Sequence, residues 1–312
     1  MARTTANGAF ITGTSSCSSS GSWADPDTAA MIAFEQRMYD DPVFNRWFEE
    51  GDRARAHQTA HDKNHGIDVR TGSDYVMRAY VRHCERIHRP RPTRMARSVV
   101  AITGYTHDIG SVAGEVEHEE VGARMQYERL HIQLGLPLAP VEHICGVTRR
   151  HRSASVLRDG IFSAEHAIVV IADKARGDET RVRPEVRDRL EQLRRIDAVS
   201  SYRGLRGEDP RYLHDVINFA IKQARLFADA EDGAGSNSSA LTLQIRLDEQ
   251  AATCGEVLSL FDTRYRALNV AAQYLGMVFR MEFLLEEESK RFYFNAYQQA
   301  WKEIAPHGLP VG

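Results

Sequence analysis

Between Val99 and Met125 the chain reads VVAITGYTHDIGSVAGEVEHEEVGARM, and no other stretch restricts the fold as much. The apolar run Val99, Val100, Ala101 and Ile102 predicts a buried helix, and that helix carries His107 and Asp108 into the interior. A buried carboxylate is costly unless it is paired or ligated. A turn from Gly110 to Gly114 then leads to a helix expected from Glu117 to about Gly135, with His118 at its start. A nitrogen ligand beside a carboxylate, with another imidazole soon after, is an arrangement suited to a metal ion.

Further donors stand at similar places. His57, His61 and His65 recur at spacing four. His57 and His61 lie in a polar run and read as solvated. His65 opens an apolar helical pattern through Val69, Tyr75, Val76, Ala79, Tyr80 and Val81, so its ring can point inward. In VEHICGVTRRH, residues 141–151, a helical face of Ile144, Val147 and Thr148 is continued by His151, and His143 falls elsewhere on the wheel. The most apolar short run, Ala167 to Ala172, ends at Asp173 and Lys174, where the carboxylate is read as ligated or held by a nearby arginine.

The rest of the chain gives context. Residues 1–24 are rich in Ser, Thr and Gly and predict a disordered tail. Residues 25–212 predict a helical body that starts at Asp25-Pro26-Asp27, with a break at Asp41-Pro42. Residues 176–194 are charged and read as a solvated loop and helix. Residues 213–312 predict a small α+β segment. In it a hairpin of 216–228 with 241–247 is followed by helices over 251–274, a strand over 277–285 and a final helix over 286–304. The strands near 214–247 could pair within the chain or supply the edge of a homodimer. A net charge of −3 gives no electrostatic case for a nucleic-acid polymer or an anionic membrane. Cys17, Cys84, Cys145 and Cys254 are scattered without a CxxC pair, and they read as reduced thiols of a cytoplasmic protein. Ala9 to Ile11 is too short for a signal-peptide core, and no apolar run reaches the ~20 residues of a membrane span.

Taken together, His65, His107, Asp108, His118, His151 and Asp173 resemble the ligand pattern of the HD-domain superfamily of metal-dependent phosphohydrolases. His107-Asp108-Ile109-Gly110 is similar to the HD signature in its HDIG form, and His118-Glu119-Glu120-Val121-Gly122 looks like the segment of the second-metal histidine. The resemblance covers about residues 55–185. The segment IRLDEQAATCGEVLSLFD is similar to the C-terminal part of some stand-alone prokaryotic HD proteins. Ser111 stands where the HD-GYP cyclic-dinucleotide phosphodiesterases have Lys, only His151 stands where they have a histidine pair, and no GYP follows. The accessory synthetase domains of the guanosine-tetraphosphate enzymes have no counterpart here.

The resemblance implies an HD-domain helical bundle, and with the strand patterning after Tyr212 the expected fold is mainly α with a small C-terminal α+β appendage. It implies two divalent ions, drawn from Mn, Fe, Co, Ni, Zn or Mg, with His65, His107, Asp108 and Asp173 on one and Asp108 bridging to a second held by His118 and His151. The expected reaction is hydrolysis of a phosphate ester, of a nucleotide among others, by a metal-activated hydroxide. Lys174, Arg149, Arg150 and Arg152 are candidate phosphate-binding groups. Asp108, Lys174 and Glu119 are the candidate catalytic residues. Glu119 or Glu120 would orient water or protonate the leaving group, unless both are solvated first-turn glutamates. Two alternatives stay open: an HD-type di-iron oxygenase, which the same ligands suit, and a nucleotide-sensing protein.

Overall fold

The computed structural model describes residues 25–55, 62–114, 116–195, 211–230 and 239–304. The expected tail, 1–24, lies outside them, as do Cys17, His57 and His61. Helices dominate. Asp25 caps α1 (Pro26–Glu35), and after a short turn Asp41 caps α2 (Pro42–Ala54), each with Pro at the first helical position. There follow α3 (Lys63–Arg86), α4 (Arg94–Thr106), a 3-10 turn (Ile109–Ala113), and α5 (His118–Gln126) continued by a π-helical stretch (Tyr127–Gln133). Next come α6 (Leu138–Thr148), α7 (Ser153–Asp159), α8 (Ala164–Lys174), a 3-10 turn (Glu179–Arg181), and α9 over 184–195.

The C-terminal part is a mixed five-stranded sheet flanked by helices. It runs α10 (Arg211–Ala220), β1 (Ile221–Ala230), β2 (Ser239–Leu247), α11 (Cys254–Leu260), α12 (Asp262–Tyr274), β3 (Met277–Leu284), β4 (Ser289–Asn295) and β5 (Ala300–Ile304), in sheet order β1-β2-β3-β4-β5. The expected hairpin forms, with Leu226 opposite Leu243, but its first strand starts later than read, because Val216 to Ala220 belong to α10. β2 and β3 are parallel, and α11 and α12 make the long connection that parallel strands require. The expected helix over 286–304 is absent. That segment forms β4 and β5, antiparallel to each other, closed where Asn295 Oδ1 accepts from the Tyr297 and Gln298 amides. The reason is aromatic pairing across strands: Phe292 meets Phe283 edge-on at 5.6 Å, and Phe294 meets Trp301 at 5.3 Å.

One core spans both parts. Ile168, Val169, Val170 and Ile171 of α8 share it with Leu241, Leu243, Phe279 and Phe283 of the sheet, and all are buried. Each such residue contributes roughly 1.5–3 kcal/mol by leaving water. Because α8 is buried on every side from His166 to Asp173, it is the axis around which the other elements pack. A second core gathers Phe34, Phe44, Phe48, Tyr105 and Ile109 under the N-terminal helices. No helix among the described residues is long and apolar enough to cross a membrane.

Small residues let the central helices approach closely. A Cβ on Gly66 of α3 would stand 2.5 Å from the Tyr105 carbonyl of α4, and one on Gly72 would stand 3.3 Å from Ala172 of α8. The start of α3, the end of α4 and the end of α8 therefore meet at one place, and His65, His107 and Asp173 sit there.

Candidate metal centre

Asp62 caps α3 by accepting from the His65 amide at 3.0 Å, which fixes His65 in the first turn. His107 is the C-cap of α4 and Asp108 follows it, so the pair stands at the end of that helix and not within it. The Ile109–Ala113 turn then seats on α5 through two glycines. A Cβ on Gly110 would meet the His118 carbonyl at 2.0 Å and the Gly122 amide at 2.4 Å, so only glycine allows the approach that brings His118 to Asp108. α6 ends three residues before His151, earlier than the spacing suggested. His151 Nδ1 donates to the Thr148 carbonyl at 2.7 Å, satisfying one of the carbonyls that every helix end leaves open. Buried His166 of α8 holds the preceding Arg150 carbonyl at 3.0 Å, and burial pushes the His166 pKa down to about 4.

The six expected donors converge. Asp108 Oδ2 faces His65 Nε2 at 3.5 Å and His107 Nε2 at 3.3 Å. Its other oxygen, Oδ1, faces His118 Nε2 at 3.6 Å and His151 Nε2 at 3.3 Å. Asp173 Oδ1 lies 3.5 Å from His65 Nε2 and 3.7 Å from His107 Nε2. All six side chains are buried. One carboxylate thus divides its two oxygens between two pairs of imidazoles.

The donor atoms suit a cation. His107 Nδ1 donates to the Gly104 carbonyl at 3.0 Å, and a carbonyl can only accept, so Nε2 carries the lone pair unless the ring is protonated. That Nε2 is buried and makes no hydrogen bond. Facing a carboxylate at 3.3 Å, it is repelled unless positive charge lies between them. Burial alone would lower the His107 pKa, yet the charge of Asp108, with that of Asp173, raises it. Burial would likewise raise the two carboxyls. His107, His151 and His65 instead hold Asp108 well below the usual range, and Lys174 and His65 do the same for Asp173. His65, His107 and Asp173 form one group that could hold a metal ion, and His107, Asp108 and His151 form another. Backbone-anchored imidazoles with nitrogen pointing inward are a usual metal-ligand arrangement.

The expected phosphate-binding groups are placed less uniformly. Lys174 Nζ donates to Asp173 Oδ2 at 2.6 Å, so it steadies a donor carboxylate. Arg149 is exposed and bonds Glu120 at 2.9 Å, and Arg150 lies over the Phe162 ring at 5.2 Å. Arg152 stands 3.9 Å from Glu119 Oε1, an oxygen that is buried and makes no hydrogen bond. One cation at the centre was not expected. Arg181, from the turn after α8, places Nη1 2.8 Å from His65 Nδ1 and 3.3 Å from its Nε2, and its charge faces Asp173, Asp108 and Asp62. Arg264 of α12 donates to the Lys174 carbonyl at 2.6 Å beside it. No protein-family model matches the chain, and neither does any curated protein or solved structure.

Proposed function

We propose that this chain is an HD-domain phosphohydrolase that cleaves a phosphate ester, with nucleotides among the substrates to be tried, at a centre of two divalent ions. One observation carries the reading: Asp108 turns Oδ2 to His65 and His107, and Oδ1 to His118 and His151, with Asp173 completing the first set. Divalent ions bound there would lower the pKa of a bound water from ~15.7 towards ~7 and offset charge on a phosphoryl group.

The protein's own contribution is to hold the donors and exclude solvent. The Gly104 and Thr148 carbonyls fix the rings of His107 and His151, so both present Nε2 without reorganisation. Lys174 keeps Asp173 ionised and aimed. Glu119 follows His118, and its buried Oε1 is the candidate atom to pass a proton to the leaving oxygen. The wide burial of the centre strengthens each of these interactions.

The test is metal analysis of anaerobically purified protein, with a screen of phosphorylated metabolites against wild type and Asp108→Ala. The variant is expected to lose both metal and hydrolysis. A metal-free variant that still hydrolyses would end the proposal. Iron retention with substrate-dependent oxygen uptake, and no hydrolysis, would support an oxygenase instead.

A further inference from the structure

We propose that a cleft between α1, α3 and α4, apart from the metal centre, binds a small organic carboxylate with an apolar body. The cleft holds about 200 Å³, and none of the six metal donors lines it. An apolar cavity of about 150 Å³ admits benzene, so a ring bearing one carboxylate fits this space. Ile32 of α1, Met77 of α3, and Val100 and Ala101 of α4 supply its apolar wall. Met77, Val100 and Ala101 are buried, so a ring seated against them leaves water and gains contact.

The charge of the ligand follows from the other walls. Arg94 and Arg97 line the same cleft, and both are exposed. Neither guanidinium has an ion pair or hydrogen bond among the described residues. They stand three positions apart on one face of α4, where like charges repel. A bound anion offsets that repulsion, and the planar guanidinium fork takes both oxygens of a carboxylate at once. The two carboxylates that line the cleft are already answered. Glu35 accepts from Arg70 at 3.2 Å with Oε1 and from Ser98 at 2.9 Å with Oε2. Asp74 accepts from Arg78. The polar side of the cleft therefore keeps a positive surplus from Arg94 and Arg97, and the apolar wall faces it across a space that a bare inorganic anion would leave unfilled.

The experiment titrates the full-length protein calorimetrically with benzoate, with its uncharged counterpart benzamide, and with inorganic phosphate. Each titration is run on protein as purified and again after chelation. Benzoate is expected to bind both preparations alike, and its Tm should rise with benzoate concentration. Benzamide should bind roughly 10-fold or more weakly, the lower end for losing a hydrogen bond to a charged group at exposed arginines. The double variant Arg94→Gln with Arg97→Gln should lose benzoate affinity by a similar roughly 10-fold and keep the wild-type Tm without ligand, because both side chains are exposed. Ala101→Leu, which places apolar volume in the cleft, should abolish benzoate binding and leave the arginines in place. Equal affinity for benzoate and benzamide overturns the proposal, as does wild-type affinity in the double variant or in Ala101→Leu. Phosphate bound more tightly than benzoate to chelated protein also overturns it, because the apolar wall would then be idle. So does benzoate binding that disappears on chelation, which would put the carboxylate at the metal centre, and so does no binding up to about 10 mM.

Discussion

Replacing Gly110 by Ala adds one methyl group at the tightest backbone contact of the metal centre. The new carbon would sit 2.0 Å from the His118 carbonyl oxygen and 2.4 Å from the Gly122 amide, where ordinary contact begins at 3.4 Å. Both neighbours are backbone, so no side chain can rotate away. Relief requires the Ile109–Ala113 turn and α5 to part by about 1.4 Å, the difference between the two distances. Overpacking of this kind costs about 1–3 kcal/mol, and a backbone clash belongs at the upper end. The same movement carries His118 away from Asp108, now 3.6 Å distant, so metal affinity should fall by roughly 10- to 100-fold, as when support around a ligand is lost. Urea unfolding of the apo protein reads the first effect, and competition with a chromogenic chelator reads the second. Gly146→Ala is the control: its nearest neighbour is Phe162 Cζ at 3.6 Å, and it should gain up to about 1 kcal/mol from helix propensity. A Gly110→Ala protein as stable as wild type, with undiminished metal affinity, would refute the argument that this glycine pair positions His118.

Two other perturbations separate parts of the account. His166 takes a proton near pH 6.5 when unfolded but only near pH 4 when folded, because burial penalises its charge. The unfolded chain therefore binds more protons between those values, so stability falls as pH drops through that window, by about 3 kcal/mol at most, and is flat above it. Urea unfolding from pH 8 to 4.5 should show a shallower decline in His166→Gln, and parallel curves would contradict the reading. His118→Ala removes one contact of Asp108 Oδ1 and leaves His65, His107 and Asp173 together, whereas His107→Ala breaks both metal-competent groups. Elemental analysis should find about half the metal in the first and almost none in the second; equal losses would argue against a divided centre.

The six side chains were legible as a set, because most of them stand at the edge of an apolar pattern and all of them fit one motif. His107 and Asp108 close an apolar run, Asp173 closes another, and His65 opens a helical pattern. The alternation in LTLQIRL and the apolar MVFRMEFLL marked β2 and β3 for the same reason: half-buried and buried strands carry recognisable periods. Other features depend on distant partners. β4 and β5 were read as a helix because their charged and polar residues have no clear alternation, and their strand character comes from Phe283 and from each other. In VINFAIKQARLFA a helix end and a strand start run together, and no Gly or Pro marks the change at Ile221. Arg181 lies in a charged stretch where nothing distinguishes it from its solvated neighbours. Its position is set by the cap from Asp178 and by Val182 entering the core, neither of which has a sequence period.

The most direct measurement is diffraction from crystals of metal-replete protein at the absorption edge of the bound element. The account predicts anomalous peaks on both sides of Asp108. One should lie within roughly 2.0–2.3 Å of donor atoms from His65, His107, Asp108 and Asp173, and the other within the same reach of Asp108, His118 and His151. Metal found only at surface histidines, with these six side chains free of any anomalous peak, would contradict it.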